Sequence, residues 1–193
     1  MRGIWTAATV AIAGGAAWGA SGGAALADNV SDTIESALAA YGEGDLAYAE
    51  EELTFAIQLL KQMRAASLSG FLPDPLDGWT KEDDPDAAAG LAIMGGSGAA
   101  ATYSNGEDAF SLTIMVDSPM IASLGAMVSN PAMAAASGGE MIRIGREKFV
   151  RNDRQTAGLI SNRALISAEG ADADAIRAHL ETMDFEALAD FGD

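Results

Sequence analysis

Residues 140–168 read EMIRIGREKFVRNDRQTAGLISNRALISA, and this stretch decides the fold. Turn-favouring residues break it at Gly145, at Asn152-Asp153 and at Ser161-Asn162. The intervening runs are short and rich in apolar residues, and they cover 140–144, 147–151, 155–160 and 164–168. Because strands on such short connections pair antiparallel, the stretch predicts a four-stranded meander.

The chain before the meander predicts a hairpin and a helix. Runs at 99–103 and 109–116 flank Asn105-Gly106, which favours a tight turn because both residues tolerate positive φ. Asp117-Ser118-Pro119 then provides a helix start. Apolar residues follow it at helical spacing, namely Ile121, Leu124, Met127 and Val128.

Two further helices are expected after the meander. One covers about 172–183, with Ile176, Leu180 and Met183 on one stripe, and a shorter one begins at the cap Asp184. Residues 81–98 indicate only a loop or a short helix at 86–94. The pattern as a whole predicts an α+β fold, in which helices pack on one face of an antiparallel sheet of about six strands.

The region before the sheet reads as helical. Apolar residues recur with a helical period from residue 31 to about 68, as in Ile34, Leu38 and Tyr41. Gly44 offers a helix stop, and Asp45 can cap the helix that follows. We therefore expect an αα-hairpin at 28–68.

Residues 40–49, AYGEGDLAYA, resemble the centre of a tetratricopeptide repeat. Gly44-Asp45 matches the turn of that family, and Ala49 and Ala56 match the small residues at which its helices cross. Lys61 replaces the usual closing Pro, and the sequence holds no second copy. Since such arrays need about three repeats for a core, the resemblance implies a lone unit that packs on something else. A tight helical hairpin of any kind selects the same residues, and a peptide-binding role is the second interpretation.

The first 27 residues have the pattern of an export signal. Arg2 precedes an uncharged apolar run from Ile4 to Trp18, and Ala25-Leu26-Ala27 forms a small-x-small cleavage site. Asp28 follows in place of a cluster of Lys and Arg. We therefore expect residues 1–27 to be a signal peptide. The mature protein is then soluble and periplasmic or otherwise exported, with no membrane insertion after cleavage.

A linker is expected at 69–78, because Pro73 and Pro75 each remove a backbone donor, and the α+β domain follows at 79–193. Gly78-Trp79 at the entry to the strands and the order of elements over about 71–190 resemble the PsbP-like group of exported α+β domains. Members of that group are chiefly non-catalytic accessory or assembly subunits. The resemblance therefore implies a helper role, and it transfers no binding residue.

Composition argues against several classes of protein. The net charge of −17 would repel nucleic acid and anionic lipid, so no nucleic-acid partner is expected. The chain has no Cys, which excludes thiol catalysis, thiolate zinc sites and haem attachment through Cys. A single histidine, His179, cannot build a His-rich metal site. We expect no cofactor and no metal.

Four features invite a functional interpretation, and each also has a structural one. His179 is the one candidate base for a hydrolase, but it lies beside the apolar stripe of its helix, which indicates a surface or helix-side group. The acidic stretch 74–86 lacks the register of a calcium loop and favours a solvated connection. The methionines between 115 and 141 favour core packing over a Cu(I) site. The run 95–98 lacks the Lys of a phosphate loop and favours a flexible loop.

Six of the 11 Lys and Arg residues fall in the meander, namely Arg143, Arg146, Lys148, Arg151, Arg154 and Arg163. One hypothesis is that they receive an acidic partner or an anionic ligand. The alternative is intramolecular charge complementarity on a solvated sheet face. The leading prediction is an exported, non-catalytic protein that binds an unidentified envelope protein as an accessory or assembly factor. A small-ligand or metal-binding carrier is the first alternative, and a hydrolase using His179 is the second.

Overall fold

The computed structural model describes residues 21–192, except residues 94, 120, 122–124, 126–129 and 137. Contacts within the chain divide it into two compact units, Met1–Leu53 and Thr54–Asp193. The division falls inside a helix, whereas the sequence predicted a linker at 69–78. The second half of that helix and the predicted linker therefore belong to the same unit as the sheet.

Two helices come first, as predicted. α1 spans Ser21–Glu43 and α2 spans Leu46–Ser69. Gly44 has a φ of +84°, which glycine adopts without strain, and the Tyr48 N–H donates to Asp45 Oδ1 at 3.1 Å. The turn and its cap are those expected from the sequence. α1 begins ten residues before the predicted start at 31 and includes the predicted cleavage site at Ala27. The apolar run of the predicted signal peptide lies outside the described residues, so its cleavage stays a prediction.

The sheet has seven antiparallel strands in the order β1-β2-β3-β7-β6-β5-β4. The strands are β1 Thr80–Asp83, β2 Ser97–Ser104, β3 Ala109–Val116, β4 Glu140–Ile144, β5 Glu147–Arg151, β6 Gln155–Ile160 and β7 Ala164–Gly170. The predicted hairpin and meander are confirmed, and pairing of β3 with β7 joins them. The additional strand is β1, whose sequence TKED has none of the apolar alternation by which a strand is recognised.

Helices occupy the connections and the C-terminal end. α3 spans Pro85–Ile93, α4 Pro131–Ala136, α5 Ala173–Leu180 and α6 Phe185–Ala189. α3 confirms the short helix expected at 86–94. Pro119, Ile121 and Gly125 are helical, in agreement with the predicted helix there, while Leu124, Met127 and Val128 lie outside the described residues. Among the described residues, no helix is both long and apolar enough to cross a membrane.

The main core lies on one face of the sheet. Tyr103, Leu112, Ile114, Phe149 and Ile166 on that face are fully buried. Side chains from α5, α6 and the end of α2 complete this core, namely Ile176, Leu180, Leu188 and Leu68. Successive strand residues point to opposite faces, so the second face carries the alternate positions. There a Cβ at Gly98 would lie 2.5 Å from Leu91 Cδ1 of α3, which shows that α3 packs closely on the second face.

Candidate functional site

His179 is fully buried at the centre of an aromatic cluster. The rings of Trp79, Tyr103 and Phe110 surround it at centroid distances of 5.2, 5.0 and 5.0 Å. The expectation of a surface or helix-side group is therefore wrong. His179 lies outside the apolar stripe of α5, so the helix sequence alone predicts exposure. It is buried because residues 73–79 and the strands β2 and β3 cover this side of the helix.

Both ring nitrogens of His179 form hydrogen bonds with backbone groups. Nε2 lies 3.3 Å from the donating N–H of Leu76, so it must be the acceptor. The proton is then on Nδ1, which donates to the Ala175 carbonyl at 2.8 Å. A general base needs a nitrogen that can reach a substrate proton. The arrangement supports a structural role for this histidine, which ties the segment before β1 to α5.

Tyr103 holds the same segment from the sheet side. Its hydroxyl donates to the Pro73 carbonyl at 2.7 Å. Burial raises the pKa of Tyr103 well above its usual value, and the carboxylates of Asp83 and Asp74 raise it further. The hydroxyl thus keeps its proton and remains a donor. Lys81 Nζ donates to the Leu72 carbonyl at 3.2 Å and adds a further contact to the predicted linker.

The β4–β5 hairpin brings three of the six basic residues together. Arg143 and Lys148 are directly opposite partners in the register of β4 and β5, and Arg146 lies in the turn between these strands. All three are exposed, and β4 is an edge strand. Like charges placed directly opposite each other destabilise a strand pair. The hypothesis of an acidic partner therefore applies best to this hairpin, and it stays a prediction.

The other three basic residues lie elsewhere on the sheet. Arg151 pairs with Glu140 through Nη2 and Oε2 at 3.0 Å. Arg154 lies in the β5–β6 turn, at the opposite end of β5 from Arg146. Arg163 Nη2 lies 3.7 Å from Asp117, which also contacts Arg64 Nη2 at 2.9 Å. The contacts of Arg151 and Arg163 fit intramolecular charge complementarity.

The structure describes parts of the three remaining candidate features, the acidic stretch, the methionines and the run 95–98. Asp84, in the acidic stretch, caps α3 by accepting from the Ala87 N–H at 2.9 Å. Within the described residues, no group of three His, Asp or Glu side chains is placed to hold a metal ion. Met115 of β3 is buried, in agreement with core packing. Met133 is 46% exposed, so the expectation of core packing is wrong for this residue, and Met120 and Met127 lie outside the described residues. Ser97 and Gly98, expected in a flexible loop, begin β2 instead.

α1 exposes three large apolar residues. Ile34, Leu38 and Tyr41 are 45, 69 and 66% exposed, and we call these three residues the hairpin stripe. The buried positions of α1 are Val30, Thr33, Ala37 and Ala40, which are smaller. At 3.6 residues per turn, the two sets lie roughly a quarter turn apart around the helix. Leu46 and Leu53, at the start of α2, are exposed as well.

A cleft of about 520 Å³ opens between α2 and α3. Alanines line part of both helical walls, with Ala65 and Ala66 on α2 and Ala88, Ala89 and Ala92 on α3. The α2 wall also has polar side chains, namely Gln58, Lys61, Gln62 and Ser69. The floor is the first half of β2, residues 97–100. The alanines leave space between the helices because they have no side chain beyond Cβ with which to fill it. It was not expected from the sequence.

The comparisons with known proteins identify no relative. No family model matches the sequence, no curated protein matches it, and no solved structure matches its fold.

Proposed function

We propose that this chain is an exported, non-catalytic protein that acts by binding another protein, as an accessory or assembly factor of the cell envelope. The exposed hairpin stripe is the observation that carries the proposal. Complete burial of one Leu or Ile side chain stabilises a complex by about 1.5–3 kcal/mol, so the three stripe residues can support a specific interface. The predicted signal peptide supports export.

The negative charge of the hairpin indicates what kind of partner surface would bind it. The sequence has no Lys or Arg between Arg2 and Lys61, while residues 28–53 contain eight Asp and Glu. A second copy of the hairpin would meet like charge, which opposes self-association through this surface. The partner we propose has an apolar contact surface bordered by Lys and Arg.

Affinity capture from an envelope extract tests the proposal, with the mature chain as bait. The variant Leu38→Gln/Tyr41→Gln removes two stripe residues at exposed positions, where polar substitutions leave the fold intact. The control Ala39→Gln changes an exposed residue of the same helix outside the stripe. We expect the wild type and the control to retain one protein that the double variant loses. Equal retention by all three baits would overturn the proposal.

A small-ligand carrier is the second candidate, and the cleft between α2 and α3 favours it. Its volume of about 520 Å³ lies within the range of small-molecule sites, and alanines line part of its walls. A ligand at 100 times its dissociation constant would raise the unfolding free energy by about 2.7 kcal/mol. A thermal-shift screen of apolar organic compounds would detect this increase, and Ala89→Trp, which fills the cleft, would abolish it.

A further inference from the structure

The floor of the cleft is a strand edge that β1 leaves open. β1 pairs with residues 101–104 of β2 and ends at Asp83, opposite Ala101. Among the described residues, no strand lies beside residues 97–100 on that side. The Asp84 N–H donates to the Ala100 carbonyl at 2.8 Å, so the backbone groups of Ala100 point toward this side. In a strand, alternate residues direct their N–H and C=O groups the same way, and those of Gly98 therefore point into the cleft.

Helices flank the open edge on both faces of the sheet. Leu68 at the end of α2 packs into the core on one face, and Leu91 of α3 lies against Gly98 on the other. The cleft between them is thus a slot whose base carries the N–H and C=O groups of Gly98. Its walls combine alanines of both helices with polar side chains of α2, such as Lys61 and Gln62. An extended polypeptide presents the matching backbone groups, and small walls leave room for its alternate side chains.

Acidic residues at one end of the slot favour a bound segment that has a basic residue there. Glu82, Asp83, Asp84 and Asp86 cluster where β1 ends and α3 begins, and Asp83 is exposed at the rim of the cleft. Lys81 Nζ forms a long ion pair with Asp83 Oδ1 at 3.9 Å, and Lys61 of α2 also lines the cleft, while the Asp83 side chain stays 67% exposed. A Lys or Arg of the occupant would find a carboxylate at this end.

We propose that the cleft binds an extended segment of a partner protein, which pairs with β2 at Gly98 and lies in line with β1 along the same edge of the sheet. The segment has small or medium apolar side chains and a Lys or Arg at the end next to Asp83. This site rests on the proposed function, protein binding, but it uses none of the hairpin stripe residues. The hairpin variants test the stripe and leave the cleft unchanged, so either site can fail without the other.

Selection of peptides from a random dodecapeptide library on the full chain provides the probe. Recovered peptides are expected to bind wild type and Ala135→Trp equally, because Ala135 is exposed on α4 outside the cleft. They are expected to bind Ala89→Trp at least about tenfold more weakly, because the indole occupies the slot. Thermal unfolding of both variants controls for folding. Failure to recover any peptide that discriminates between the two variants would overturn the proposal.

Backbone N-methylation distinguishes strand addition from other binding modes. Two synthetic versions of a selected peptide carry N-methyl groups on alternate residues, in the two complementary registers. One version is expected to lose at least about tenfold in affinity and the other to keep it, since only one set of N–H groups faces β2. The unmodified peptide is also expected to slow hydrogen exchange at the Gly98 amide. Equal binding of the two versions, or unchanged exchange at Gly98, would show that the peptide does not extend the sheet.

Discussion

The sheet unit and the helical hairpin bury opposite kinds of residue. In the unit from Thr54 to Asp193, large apolar side chains of the sheet such as Leu112 and Phe149 are fully buried, although Ile57 and Ile93 on its helices are exposed. In α1 the most buried positions are Ala37 and Ala40, while Leu38 is 69% exposed. The first region obtains its stability from its own packing. The second exposes apolar side chains, and the proposed protein-binding role rests on that exposure.

The largest effect is expected from equivalent leucine truncations in the two regions. Leu112→Ala should lower the free energy of unfolding by about 2–5 kcal/mol, because it leaves a cavity in the core. Leu38→Ala should change it by less than about 0.5 kcal/mol, because the side chain is already in water. Denaturant unfolding of both variants measures the difference. Similar losses would mean that the hairpin stripe is covered within the chain.

Two glycines extend the comparison to a smaller effect. A Cβ at Gly158 of β6 would lie 2.4–2.8 Å from ring atoms of Phe149, so Gly158→Ala should cost about 1–3 kcal/mol of stability. A Cβ at Gly42 of α1 meets nothing within 4 Å, and Gly42→Ala should stabilise the helix by up to about 1 kcal/mol. Thermal unfolding should move the two midpoints in opposite directions. A stabilised Gly158→Ala protein would contradict the packing described for the sheet.

Two tyrosines give the smallest difference. Tyr103→Phe removes the hydrogen bond to Pro73 and should lower the free energy of unfolding by about 1 kcal/mol, whereas Tyr41→Phe at an exposed position should leave it unchanged.

The buried hydroxyl of Tyr103 also predicts a pH dependence of stability. A tyrosine in the unfolded chain ionises near 10, and burial raises the pKa in the folded protein. Folding therefore favours the protonated hydroxyl, and the unfolding free energy should fall as the pH rises above 10. The fall should be smaller in Tyr103→Phe, and an equal fall would assign it to other groups.

Local sequence signals predicted most of the sheet. Gly145, Asn152-Asp153 and Asn105-Gly106 mark turns by their own conformational preferences, so the hairpin and the meander follow from short segments. The sequence did not predict β1, because its residues are polar and the strand it pairs with lies about twenty positions away in the chain. β3 pairs with β7 across a long separation in sequence, and no single short segment encodes that pairing.

The candidate sites could not be predicted, because each depends on what distant segments cover or leave uncovered. The apolar period of α1 identifies a helix, but it does not tell which of two neighbouring stripes will be buried. His179 lies outside the apolar stripe of its own helix, and its burial comes from residues 73–79 and from Tyr103 and Phe110. The cleft depends on three separate segments, α2, α3 and β2, and on the small size of the residues between them.

Site-specific photo-crosslinking in the native envelope tests the central claim most directly. A benzophenone amino acid at position 38 would sit in the hairpin stripe, and the same group at position 132 would sit on the exposed surface of α4 as the control. The proposed function predicts one protein adduct of defined mass from position 38, which is absent from position 132. Absence of an adduct at position 38, or the same adducts from both positions, would contradict a partner-binding role for the hairpin.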